Sequence, residues 1–222
     1  MPKVKVVTGY VPIPKHPRTA AEYGKLGEEA FSNLPVPVRS YYWPLERTWL
    51  QRALDLCPFE FTHSVSDNAD KNTVAYHCVN HQKFEWLAQD AALDPDPDVF
   101  VWIDYGILHV PGVTVAVIRD FLSKIKDKDL AIPGCTPAPS VIDDTHPCWR
   151  FCGGLIVCPR NRCIELATAV KENAIAHVKR TRNVSWEVNT LARIEKGGSL
   201  PIRWYAADHN ETMFTGYSNG QS

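Results

Sequence analysis

Between an aspartate-proline run, DPDPD (94–98), and a single aspartate, the chain carries five consecutive apolar residues, VFVWI (99–103). A run with no polar position reads as a buried strand of the kind found inside a mostly parallel sheet. It ends on Asp104, and Gly106 follows two residues later. A carboxylate set directly after a buried strand loses water on one side and needs compensation from a metal, a basic partner or backbone donors. From position alone, a turn aspartate that caps the next loop is the simpler reading. The DPDPD run lacks the glycine and distal glutamate of a calcium loop and reads as a solvated turn.

The rest of the chain alternates strand and helix signals. KVKVVTGYV (3–11) is rich in β-branched residues and is stopped by Pro12, Pro14 and Pro17. Thr19 with Glu22 three positions on forms a capping-box pattern opening a helix over 19–33. A strand is expected at 36–42, a helix opened by Pro44 at 44–57, loop at 58–73, and a helix from about 79 to 93. Beyond Asp104 come a helix near 114–126, a proline-rich segment at 133–147 and a strand at 151–160 interrupted by Gly153 and Gly154. Helices at 162–181 and 185–198, a late strand at 202–208 and a polar, fraying tail from 215 complete the pattern. Such alternation predicts one α/β domain with a mostly parallel central sheet flanked by helices. Ligands in such sheets bind outside the carboxyl ends of the strands, where Asp104 lies.

Composition narrows the function classes. With 222 residues, 45% hydrophobic, 22% charged and a net charge of −1, the chain has the size for one core and no bulk attraction to nucleic acid or anionic lipid. The KRTR patch (179–182) alone keeps a nucleic-acid acceptor open. No signal peptide or membrane-length apolar run is evident, so a soluble cytoplasmic protein is expected. Seven cysteines, five of them between 135 and 163, then read as reduced thiols. Zinc is a weaker reading there, because no C-x2-C knuckle occurs.

Four segments taken in order, HQKFEWLAQDAALDPDPDVFVWIDYGI, WRFCGGLIV, SWEVNTLARI and RWYAADHNE, resemble the HtrL/YibB-like group of glycosyltransferases and, more broadly, the GT-A (Rossmann-like) nucleotide-diphospho-sugar transferase fold. The resemblance spans about residues 3 to 211. It implies a single domain over 1–222, with a nucleotide-binding part over about 1–110 and an acceptor-side part over about 111–215. It also implies a hexosyltransferase-like enzyme that moves a sugar from a nucleotide-diphosphate donor to a glycan or other hydroxyl, assisted by Mn2+ or Mg2+.

Residue by residue, Asp104 resembles the acidic metal ligand of that fold. Gly106 stands where the wider pattern has a second aspartate, and matches the Trp-Ile-Asp-x-Gly form of the narrower group. His209 resembles the C-terminal histidine that completes metal coordination. Glu187 resembles the carboxylate facing the acceptor, as base or as partner of the sugar ring. Trp186 beside it, with Gly153 and Gly154, would border the sugar or acceptor. Thr8, Arg18 and Tyr23 fall in the region that holds the nucleotide, and Lys83 could reach a phosphate. The alternative class is a non-catalytic nucleotide- or glycan-binding module, which Gly106 in place of a second carboxylate keeps open.

Overall fold

The computed structural model describes residues 2–14, 16–126 and 129–218. Strand β1 (Val4–Tyr10) leads through α1 (Ala20–Phe31) to β2 (Val38–Tyr42), followed by α2 (Trp49–Asp55), β3 (Thr62–His63), the long α3 (Val74–Leu93) and β4 (Val99–Ile103). The second half runs through α4 (Val115–Lys124), β5 (Ala131–Gly134), β6 (Leu155–Pro159), α5 (Arg160–Thr181), β7 (Asn183–Val184), α6 (Glu187–Gly197), β8 (Arg203–Ala206) and α7 (Thr212–Thr215). Six strands form one sheet in the order β2-β1-β4-β6-β5-β8, while β3 and β7 make a separate short pair.

The sheet is mostly parallel, as expected. Only β6 opposes its neighbours, running antiparallel to β4 and to β5. The cause is the connection between β5 and β6, which contains no crossover helix, so the chain returns in the opposite direction.

Period-two alternation fills both faces. On β4, Phe100 and Trp102 join the core beneath α2, α3, α5 and α6, while Val99, Val101 and Ile103 join the core beneath α1, α4 and α7. The same split places Val7, Ile156 and Cys158 on the first side and Val6, Leu155 and Val157 on the second. A strand covered on both faces needs apolar residues at every position, which is why β4 reads VFVWI.

Several boundaries depart from the sequence expectation for local reasons. The capping box at Thr19 and Glu22 opens α1 as anticipated. The helix expected at 44–57 is split, because Thr48 is extended between a short 3-10 turn (Leu45–Arg47) and α2. Helix α3 begins at Val74, five residues earlier than its apolar periodicity, because the Thr73 hydroxyl accepts from Tyr76 N. The proline-rich segment hides the end of β5, and Gly153 and Gly154 precede β6 instead of interrupting it. Residues 219–222 of the expected fraying tail lie outside the described residues. Among those described, no helix is long and apolar enough to cross a membrane.

Candidate active site

Asp104 sits one residue past the carboxyl end of β4, beside the antiparallel β6. Its backbone N–H donates to Gly154 O at 3.0 Å. On the same pleat as Asp104, Trp102 donates its indole N–H to Asp104 Oδ1 at 2.6 Å. The carboxylate is 40% exposed, so it faces a cleft while one oxygen is held from below.

Lys83 supplies the positive charge. It projects from α3, is 1% exposed, and donates to Gly153 O at 2.8 Å. Its ammonium lies 3.3 Å from Glu187 Oε1 and 3.6 Å from Asp104 Oδ1. Burial pulls the Lys83 pKa down, but Asp104 and Glu187 together outweigh it and raise the pKa, which keeps the ammonium charged.

Glu187 opens α6 and is 4% exposed. Its Oε1 faces Lys83, whereas Oε2 has no hydrogen-bond partner in the protein; the indole N–H of neighbouring Trp186 has none either. A buried acceptor and a buried donor left open on consecutive residues is an uncommon condition in a folded chain. Gly153 makes the arrangement possible, because a Cβ there would fall 2.1 Å from Glu187 Oε1.

Two cavities meet at Asp104. One is lined by Tyr10, Tyr23, Tyr105, Asn80 and Lys83. The other is lined by Gly153, Gly154, Trp186, Glu187, Trp149 and His209, with Arg18 and Lys71 at its edge. Tyr10 lies against Tyr23 and Tyr105 with ring centroids 5.1 and 5.8 Å apart, forming an aromatic wall on the first side.

Of the residues singled out from sequence, Asp104, Lys83, Glu187, Trp186, Gly153, Gly154, Arg18, Tyr23 and His209 all border one or both cavities. Thr8 does not. Alternation along β1 turns its side chain into the fully buried interior, with its hydroxyl unpartnered, and it is Gly9 that reaches the cavity. Gly106 lines the first cavity, but the space its missing side chain leaves is taken by Tyr23, whose ring carbon would lie 2.6 Å from a Cβ. The basic KRTR patch ends α5 and borders neither cavity. Sequence reasoning missed Trp102, Tyr76, Asn80, His109 and Trp149. Three of those had a readable signal: Tyr76 and Asn80 repeat with Lys83 at helical spacing, and Trp102 shares a strand face with Asp104.

His209 is grouped with sulfur. Cys135 Sγ lies 3.4 Å from His209 Nδ1 and 3.4 Å from Cys152 Sγ. These are the only three His, Cys, Asp or Glu side chains among the described residues that are close enough to share an ion, and Asp104 is not one of them. Hydrogen bonds from Cys152 and His209 hold the Cys135 thiol well below its ordinary range, while the contact with Cys135 and burial push Cys152 up. The Trp149 ring meets His209 edge-on at 4.6 Å.

Comparison with known proteins gives a fold and no family. No protein-family model matches the chain, and no curated protein matches it. Among solved structures, the chain is similar to a glycosyltransferase involved in glycosylation of the major capsid of PBCV-1, with 15% identity, a TM-score of 0.51, and 93% of this chain and 82% of that chain covered. Mouse xyloside xylosyltransferase 1 also matches, with 8% identity, a TM-score of 0.42, and coverage of 91% and 84%. The first of these likenesses gives the chain the α/β fold of a glycosyltransferase.

Proposed function

We propose that the protein is a glycosyltransferase that moves a sugar from a nucleotide-diphosphate donor to a hydroxyl acceptor. The observation that carries this reading is the convergence of Asp104, Lys83 and Glu187 at the meeting of two cavities, beyond the carboxyl end of β4. The aromatic wall of Tyr10, Tyr23 and Tyr105 suits a nucleoside base, and Arg18 and Lys71 suit the diphosphate. The order of the sequence motifs, which resembles the HtrL/YibB-like group, points the same way.

A hard divalent cation, Mn2+ or Mg2+, fits Asp104 as a one-carboxylate site. Oδ1 is occupied by Trp102 and Lys83, and Oδ2 is the oxygen on the Gly154 side. Donor diphosphate oxygens and water would complete the shell. Bound there, the ion would neutralise the diphosphate and stabilise the departing nucleoside diphosphate. His209 turns Nδ1 to Cys135, so only its Nε2 is left to join this set.

The chain's own groups account for the remainder. Glu187 Oε2 is free to accept a hydrogen bond from a hydroxyl of the acceptor or the sugar, and Trp186 Nε1 is free to donate one. Lys83 holds Glu187 Oε1 and fixes its orientation, so that only Oε2 is offered. Gly153 and Gly154 let the reacting sugar approach the backbone.

The test is a pair of measurements. UDP or GDP should raise the melting temperature only when Mn2+ or Mg2+ is present, since a ligand stabilises through its affinity for the native state. Free sugar should be released slowly from a nucleotide-sugar donor, and Asp104→Asn should lower that rate by about 10²-fold while leaving the fold intact. Nucleotide binding with no sugar release from any common donor would instead favour the non-catalytic module.

A further inference from the structure

We infer that Cys135, Cys152 and His209 form a zinc site at the rim of the second cavity. This does not rest on the glycosyltransferase reading, and it takes His209 Nδ1 away from any site at Asp104.

The three donors come from three separate places in the chain: just past β5, just before β6 and just past β8. Pairing of β5 with both β6 and β8 brings these ends together. Their spacing is that of a shared metal. Zinc holds thiolate at about 2.3 Å and imidazole at about 2.0 Å, so a tetrahedral ion separates two sulfurs by about 3.8 Å and sulfur from nitrogen by about 3.5 Å. Here Cys135 Sγ is 3.4 Å from Cys152 Sγ and 3.4 Å from His209 Nδ1, and all three ligand atoms lie within 4.8 Å of one another.

Asp208 neighbours two of these donors but lies outside the three that can share an ion, which leaves the fourth position to water. Asp208 Oδ1 lies 3.7 Å from Cys135 Sγ and 3.9 Å from His209 Nδ1. It is held there by the His209 backbone N–H at 2.7 Å. Two thiolates with one imidazole select a soft or borderline ion, whereas Asp104 offers only oxygen and suits a hard one. The two sites would therefore take different metals. Zinc at Cys152 would also anchor the segment that continues into Gly153 and Gly154, and through Gly153 O the position of Lys83.

The experiment uses the full chain, purified under reducing conditions, stripped of metal and titrated with Co2+ and then Zn2+. One equivalent of Co2+ should produce a thiolate-to-metal charge-transfer band and the visible bands of a tetrahedral ion, and Zn2+ should displace both. The signal should be lost in Cys135→Ser and in His209→Gln. It should persist in Cys148→Ser and in Asp104→Asn, where oxygen ligation alone gives no such band. His209 is exposed, so His209→Gln keeps the test decisive even if a cysteine variant fails to fold. The inference falls if wild-type protein shows no charge-transfer band, if either ligand variant retains it, if Asp104→Asn abolishes it, or if Cys135 and Cys152 are found joined as a disulfide under those conditions.

Discussion

Lys83 and Glu187 are 1% and 4% exposed, whereas Cys135 is half-buried and His209 open to solvent, although both groups meet along the same three residues, Cys152, Gly153 and Gly154. Cys152 faces the sulfur cluster, Gly153 O accepts from Lys83, and Gly154 O accepts from the Asp104 N–H. The difference lies in what each group costs when a member is lost. A buried ammonium between two carboxylates cannot be relieved by water, so removing one partner leaves a charge stranded. A half-exposed thiol can be replaced with little penalty unless a metal is bound.

That contrast gives the largest expected effect. Lys83→Met should destabilise the fold by about 3–5 kcal/mol, read from the urea midpoint, because buried Glu187 loses its ion-pair partner. Cys135→Ser in metal-free protein should cost about 1 kcal/mol or less. The paired variant Lys83→Met/Glu187→Gln should recover most of the loss. Equal losses for Lys83→Met and Cys135→Ser would erase the distinction between the two groups.

How much of this was legible in the sequence follows the same division. Asp104 and β4 could be read directly, because an uninterrupted apolar strand ending in a carboxylate is a local pattern. Lys83 was only a candidate phosphate contact, since nothing local says that its charge is spent on Glu187, 104 residues away. Thr8 was misplaced by one position, an error that period-two alternation turns into the opposite face of the sheet. His209 was assigned to Asp104 because both are chemically apt for a metal. Its contact with Cys135, and that of Cys135 with Cys152, depends on the side-by-side order of β6, β5 and β8, which no short motif encodes.

The next effect sharpens the view of the charged side as a dry one. His77 and His81 lie on α3, four and eight residues from its Thr73 cap, and burial lowers their pKa values to about 4 and about 3. The hydrogen bond between His77 Nε2 and Ser64 O makes Nε2 the donor, which leaves a bare, buried Nδ1. Both folded-state values lie below the ordinary 6.5, so the unfolded chain binds the protons first. Their stabilisation is complete above pH 6.5 and is lost as pH falls toward 4. Between pH 7 and pH 5 each histidine should cost about 2 kcal/mol of unfolding free energy. Urea titrations across that range should show the slope, with His77→Gln and His81→Gln each flattening it and Cys135→Ser leaving it in place. A flat profile in the wild type would mean that water reaches this side of α3.

The two glycines of the shared segment give the smallest effect and the finest cut. A Cβ on Gly153 would lie 2.1 Å from Glu187 Oε1 and 3.1 Å from Lys83 Nζ. Neither atom can yield without loosening the pair, so Gly153→Ala should lose about 1–3 kcal/mol of stability. A Cβ on Gly154 would meet Asp104 Oδ2 at 3.5 Å, Ile107 Cδ1 at 3.6 Å and Met213 Cε at 3.8 Å, which are ordinary contacts. Gly154→Ala should therefore stay within about 0.5 kcal/mol of the wild type in urea. Its methyl would nonetheless stand beside the Asp104 oxygen that faces the cavity, so metal-dependent nucleotide affinity should fall while the fold holds. Stability and affinity thus separate at neighbouring residues. If Gly154→Ala unfolds as readily as Gly153→Ala, or binds nucleotide unchanged, then Asp104 Oδ2 is not the oxygen on which the donor depends.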